Sequence, residues 1–257
     1  IPETRVIGKL LDDALAPAPA PGRVAFLKGQ PYAHRGLHGN GVLENSPAAF
    51  EAAIRLGHGI ECDVQAAEDG RAFVFHDYEL DRLTERTGAI GKLRAEDIDR
   101  IQLNGGHGKI PRLREILAQV AGQVPIMIEI KSRNLRVGPL CLSVRRALEG
   151  YGGEAAIMSF NPLVGAWFHK NADHVVRGLV VTEEDSKNWR GRIARHRNLW
   201  TAKPDFLAYD IRDLPSRFAA AQRTRGLPIV TWTVRSAEQE KIASIYADEP
   251  VYELPQN

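Results

Sequence analysis

The sequence predicts an α/β protein, a TIM (β/α)8 barrel, and three observations predict it. The first is length: 257 residues suit one barrel of this kind better than two small domains. The second is rhythm. From Pro31 onward, short apolar runs alternate with longer amphipathic ones, as repeated β-α units feeding a parallel sheet require. The third is number, because eight strand-like runs follow one another along the chain. Hydrophobic residues at 44% and charged residues at 26% are globular values. A chain of this size buries enough surface to fold without a disulfide or metal staple.

Residues 1–30 read as an N-terminal extension and residues 31–257 as the barrel. In the extension, Ile7–Leu15 has the pattern of a short amphipathic helix. The stretch Ala16-Pro17-Ala18-Pro19-Ala20-Pro21-Gly22 is hostile to helix, so the tail is expected to lie on the domain surface. The predicted strands are Tyr32–Ala33, Ile60–Val64, Ile126–Ile130, Ala156–Ser159, Arg177–Val181, Phe206–Tyr209, Ile229–Thr233 and Pro250–Glu253. Helices are expected over Ser46–Leu56, Arg112–Val120, Gly138–Leu148, Pro162–Asn171, Lys187–Arg197, Pro215–Thr224 and Ala237–Ala247. Ser46-Pro47 gives an N-cap with proline at the first helical position, and Gly226-Leu227-Pro228 stops a helix before a strand. One segment breaks the rhythm. After Glu68-Asp69-Gly70, a turn signal, Ala72–Phe75 forms a second strand of a hairpin. Residues 78–111 then read as an irregular, charge-rich insertion.

The net charge of +2, from 34 basic and 32 acidic residues, argues against nucleic acid as a partner. An anionic ligand must instead be met by local charge. Cys62 and Cys141 lack metal-type spacing and read as reduced core thiols. No apolar run reaches the 18 residues of a candidate membrane span. Cytoplasmic location is expected, or periplasmic if a leader preceded Ile1.

The chemistry follows from strand alternation. Glu61 and Asp63 are two apart and share a face, as do Glu129 and Lys131, while Cys62 points towards the helices. In a barrel these groups converge at the C-terminal ends of the strands. Lys131 alone does not balance three carboxylates. A divalent cation with oxygen ligands does, and the set suits Mg²⁺ or Ca²⁺ better than zinc. A salt-bridge network with Arg35 and Lys131 accounts for the same residues; the histidines tip the balance. His34 ends the first strand and His76 ends the hairpin, so both are placed as general acid and base. The other histidines fall in predicted loops or helices, with His38 nearest the site. Arg35 and Lys131 supply a fork and a point charge for a phosphoryl group.

In order along the chain stand His34-Arg35-Gly36, Glu44-Asn45-Ser46 with Phe50 and Ala53, and Glu61-x-Asp63-Val64. Asp69-Gly70, His76-Asp77, Leu80-Asp81-Arg82-Leu83-Thr84 and Gly88 follow, then Glu129-Ile130-Lys131, Ser159-Phe160 and Trp232-Thr233-Val234. This ordered set resembles the glycerophosphodiester phosphodiesterase family. The resemblance implies a TIM barrel with the insertion after His76-Asp77. It implies one divalent cation, Mg²⁺ or Ca²⁺, on Glu61, Asp63 and Glu129, with His34 and His76 as the acid–base pair. It further implies that Arg35 and Lys131 hold the phosphate, that Trp232 and Phe160 line the pocket, and that Glu44 orients the first loop or contacts the site. The implied reaction is hydrolysis of a glycerophosphodiester to glycerol 3-phosphate and an alcohol. The chain departs from the family at its end. A Thr-Asp-x-Pro closing sequence is expected, but Ala247-Asp248-Glu249-Pro250 stands there.

Two rivals remain at this stage. A lysophospholipase D or sphingomyelinase D-like lipid phosphodiesterase shares the histidines and carboxylates, but an apolar rim is expected of it and residues 78–111 do not look apolar. A non-catalytic phosphodiester sensor is expected to lack an acid–base residue, and both are present here. Trp189 and Trp200 flank Arg190, Arg192, Arg195 and Arg197. This stretch reads as a solvated helix face, with peripheral contact to an anionic membrane as the alternative.

Overall fold

The computed structural model describes residues 3–254. The strands are β1 (Tyr32–Ala33), β2 (Gly59–Ala66), β3 (Ala72–Val74), β4 (Ile126–Ile130), β5 (Ala155–Ser159), β6 (Val176–Val181), β7 (Phe206–Asp210), β8 (Ile229–Val234) and β9 (Glu249–Tyr252). The helices are α1 (Glu3–Leu15), α2 (Pro47–Arg55), α3 (Ala95–Ile98), α4 (Leu113–Val120), α5 (Gly138–Leu148), α6 (Pro162–Asn171), α7 (Trp189–Ala202), α8 (Arg217–Thr224) and α9 (Ala237–Tyr246). All strands but β3 are parallel, and β1 pairs with both β2 and β9, so the sheet closes on itself. The fold is the TIM (β/α)8 barrel. The antiparallel β3 hangs on β2 as the predicted hairpin, and its pairing carries β2 on to Ala66, beyond the expected end at Val64. Among the described residues, no helix is long and apolar enough to cross a membrane.

Alternation sorts the residues. Ile60, Cys62, Val64, Ile126, Ile128 and Ile130 pack outward against the helices. Met127, Met158, Val180, Phe206, Val230 and Val251 fill the interior. Both cysteines are free and buried.

Three segments differ from expectation. Helix α7 runs past Arg197 to Ala202, because Leu199 and Ala202 continue its buried face before Lys203 turns left-handed. The N-terminal segment does not simply lie on the surface. Val24 and Leu27 join Tyr32, Val176 and Phe206 and close the barrel floor, opposite the strands' C-terminal ends. Arg23 fixes this plug through two 2.9 Å bonds to Asp205. Residues 78–111 turn their apolar side chains inward. Leu80, Leu83, Ile90, Ile98, Ile101 and Ile110 form a small core over Phe73 and Phe75.

Gly36 shows how tightly the first loop is seated. Its φ is +77°, and an added Cβ would lie 2.8 Å from the backbone and side chain of Ala49 in α2. Gly36→Ala is therefore expected to cost about 2–3 kcal/mol through strain and overpacking. That corresponds to a fall in Tm of roughly 5–10 °C for a chain of this length. A Tm unchanged in calorimetry would contradict this reading of the loop.

Candidate active site

The eight parallel strands deliver their chemistry to one mouth. Glu61 and Asp63 lie on the interior face of β2 and Glu129 on that of β4, and Asp63 stands opposite Glu129 in the pairing register. The three carboxylates are buried, and each offers an oxygen within 4.8 Å of the others. His34 and Arg35 follow β1, His76 follows β3, and Lys131 follows β4. The residues that alternation placed at one mouth do stand there together.

Positive charge threads through the cluster. Lys131 Nζ lies 2.9 Å from Asp63 Oδ1 and 2.6 Å from Glu129 Oε1. Arg35 Nε is 3.2 Å from Asp63 Oδ2, and its Nη1 donates to Glu44 Oε1 at 2.7 Å. The Arg35 amide donates to Glu61 Oε2 at 3.0 Å. Burial pushes Glu61 well above the usual carboxylate range, and the charges of Asp63 and Glu129 add to the push. Burial also raises Glu129, against the pull of Lys131. Asp63 goes the other way: the nearby Lys131 and Arg35 outweigh its burial and hold it far below the usual range.

This donor set fits a divalent cation. Glu61 Oε1 is buried and meets no hydrogen-bond donor among the described residues. A buried carboxylate oxygen without a donor is costly, and a hard cation relieves it. The same cation would offset the repulsion that raises Glu61.

Each histidine is held by a carboxylate. His34 Nδ1 is 2.5 Å from Glu253 Oε1, and His76 Nδ1 is 2.6 Å from Asp77 Oδ1. A carboxylate on Nδ1 favours the tautomer that leaves Nε2 unprotonated and facing the site. His34 Nε2 lies 3.9 Å from Glu61 Oε2. Burial lowers both imidazoles, which favours the neutral form at neutral pH.

Phe160, just past β5, is 44% exposed and meets Trp232 of β8 edge-to-face, with ring centroids 5.5 Å apart. A cleft of about 670 Å³ opens between His76, Tyr78, Lys131, Arg133 and Phe160. His38 stays at the margin, 3.9 Å from Glu253. His58 pairs with Tyr252, His169 with Asp173 and His196 with Asp12. The basic stretch on α7 is mostly solvated, but Arg195 turns inward to Glu183 at 3.1 Å.

Glu253 and Asn45 also belong to this mouth, though the sequence assigns neither a task there. The sequence places Glu253 only at the end of the last predicted strand, and it falls just past β9. Its signal was parity: it stands two residues after the interior-facing Val251. Asn45 stands within the Glu44-Asn45-Ser46 motif, which gives it no task. It sits at φ 53°, where asparagine is tolerated, and its Nδ2 donates to Asp63 Oδ2 at 2.9 Å.

Residues 34–249 match the model of the glycerophosphoryl diester phosphodiesterase family. A glycerophosphodiester phosphodiesterase of Bacillus altitudinis is 34% identical over 163 residues, covering 59% of this chain and 66% of the relative. One from Caldanaerobacter subterraneus subsp. tengcongensis is 27% identical over 235 residues, covering 87% of this chain and 93% of the relative. Among solved structures, an Oleispira antarctica phosphodiesterase in complex with the product sn-glycerol-3-phosphate superposes with a TM-score of 0.75. It is 19% identical, over 88% of this chain and 93% of that one. A glycerophosphodiester phosphodiesterase of Thermotoga maritima gives a TM-score of 0.69 at 23% identity, over 87% and 94%.

Proposed function

The chain belongs to the glycerophosphoryl diester phosphodiesterase family, and from that premise we propose that it hydrolyses glycerophosphodiesters to glycerol 3-phosphate and an alcohol. The observation that carries the proposal is the pair of carboxylate-held histidines flanking three buried carboxylates at one barrel mouth. The product seen with the Oleispira antarctica neighbour agrees with it.

In this reading Glu61, Asp63 and Glu129 hold one divalent cation, Mg²⁺ or Ca²⁺. When bound, the cation supplies Lewis-acid polarisation of phosphoryl oxygen. Arg35, steadied by Glu44, and Lys131 hold the phosphate and meet its developing charge. One histidine, neutral, takes the proton of the substrate's own attacking hydroxyl through Nε2, while the other, entering with both ring nitrogens protonated, gives its Nε2 proton to the departing alcohol. Water then opens the cyclic phosphate, with the two proton roles exchanged. Trp232 and Phe160 wall the space for the glycerol or the leaving group. The sensor reading expects a missing histidine, and neither is missing.

A panel of glycerophosphodiesters and lysolipids, each assayed with Mg²⁺, Ca²⁺ and chelator, tests both readings. Metal-dependent release of glycerol 3-phosphate is the expected result. Turnover that survives chelation would overturn the metal assignment, and metal binding without any turnover would favour the sensor.

Glu253 carries its own prediction. Glu253→Gln keeps the side chain's shape and removes its charge, so His34 loses its fixed tautomer. The expected fall in kcat/KM is about 10- to 100-fold, with little change in Tm. Unchanged kcat/KM would show that His34 needs no orienting carboxylate.

A further inference from the structure

The insertion between β3 and α4 carries Arg82 at the rim of the mouth. Its Nε donates to Asp77 Oδ2 at 2.6 Å and its Nη2 to Asp77 Oδ1 at 3.1 Å. The adjacent edge of the same guanidinium, which shares Nη2, meets Glu44, with Nη1 to Oε2 at 2.9 Å and Nη2 to Oε1 at 2.7 Å. Each of these carboxylates goes on to a group of the site. Asp77 holds His76 Nδ1, and Glu44 holds Arg35 Nη1.

We propose that Arg82 is a positioning residue that sets the orientation of His76 and Arg35 together, so that the insertion is part of the catalytic apparatus. The proposal rests on the hydrolytic reading above. Its geometry is specific to arginine. A guanidinium presents donors on two edges and grips two carboxylates bidentately, whereas an ammonium is a single point of charge. Without it, Asp77 and Glu44 lose the cation between them, and each is left to one partner. His76 then loses its fixed ring orientation, since Asp77 is itself partly exposed. The insertion is built to present this side chain. Leu80 and Leu83 on either side of it are buried in the insertion's own core. Thr84 Oγ1 closes the turn on Leu80 O at 3.0 Å. A mere surface ion pair would contribute little. Here the pair is doubled, and its value lies in what the two carboxylates hold.

The guanidinium is also within reach of solvent, with the side chain 48% exposed, which gives the test a direct form. Arg82→Met and Arg82→Lys would be compared with the parent on a soluble glycerophosphodiester in saturating Mg²⁺ or Ca²⁺. The expected result for Arg82→Met is a fall in kcat of about 100-fold, with a rise in KM of about three- to tenfold because Arg35 also loses its fixed position. Low millimolar guanidinium chloride should restore part of kcat in Arg82→Met, and sodium chloride at equal ionic strength should not. Arg82→Lys should remain impaired by about tenfold. Nitrogen NMR of the His76 ring should show the single Nδ1-protonated tautomer in the parent and a mixture in Arg82→Met. A kcat within twofold of the parent, or a loss of kcat with an unchanged His76 tautomer and no guanidinium rescue, would overturn the proposal. If Arg82→Met unfolds, Arg82→Lys and its His76 spectrum decide by the same criteria. If the parent hydrolyses no glycerophosphodiester, the hydrolytic reading fails on its own, and the His76 spectrum still reports on the clamp.

Discussion

His76→Ala is expected to lower kcat/KM on a glycerophosphodiester by about 10³-fold, equivalent to roughly 4 kcal/mol of transition-state stabilisation. The side chain stands at the end of the hairpin with 30% of its surface exposed, so its loss should leave the barrel's stability nearly unchanged. Proton transfer is what disappears. Asp77 remains in place, held by Arg82, but lacks any imidazole to orient. The loss should fall on kcat, because the groups assigned to the phosphate, Arg35 and Lys131, are untouched. His34→Ala should cause a loss of similar size. It is the less clean experiment, because His34 is buried and its removal strands the Glu253 carboxylate. Kinetics on purified variants with matching Tm values would check this. A His76→Ala enzyme within tenfold of the parent would remove His76 from the reaction.

Glu61→Gln should separate metal binding from folding. In the metal-free chain Glu61 is pushed up by burial and by the charges of Asp63 and Glu129. The native state therefore holds a proton at this position over a pH range where the unfolded chain has released it. Stability from this group then falls as pH rises from the ordinary carboxylate range through the raised native value. Glutamine carries no charge and escapes that penalty. The metal-free variant should thus match or exceed the metal-free parent in stability, and the margin should widen as pH rises. With divalent cation the order reverses. At a metal concentration of about 100 times Kd, the parent should gain about 2.7 kcal/mol. The variant should gain far less and should lose activity by at least about 10²-fold. Thermal melts across pH, with and without Mg²⁺ or Ca²⁺, check both halves. A parent whose Tm ignores every divalent cation would contradict the assignment of Glu61, Asp63 and Glu129.

Much of this was legible in the sequence because two periods carry it. Alternating apolar and amphipathic runs gave the barrel, and the two-residue spacings in Glu61-x-Asp63 and Glu129-x-Lys131 put those side chains on one face. What was hidden depends on contacts that no local pattern encodes. Glu253 reaches His34 across the closing of the barrel, from the residue just past β9, a strand of only four residues. The floor plug of Val24 and Leu27 follows an Ala-Pro stretch that reads as a tail, and only the open barrel end explains why apolar residues return there. Residues 78–111 looked polar because their apolar residues are spaced irregularly. They fold into a core through short turns rather than through a helix or strand with a readable period. Arg82 stands inside Leu80-Asp81-Arg82-Leu83-Thr84, yet its two carboxylate partners are five and 38 positions away.

The most direct measurement follows the phosphorus itself. Phosphorus NMR of a soluble glycerophosphodiester with the purified chain should show the diester signal converting to glycerol 3-phosphate in Mg²⁺ or Ca²⁺. Conversion should stop on chelation, resume on adding the cation back, and be nearly absent with His76→Ala. A diester signal that persists with the folded chain in either cation, or conversion that proceeds equally in chelator or with His76→Ala, would contradict a site in which three carboxylates hold a metal and two histidines move the protons.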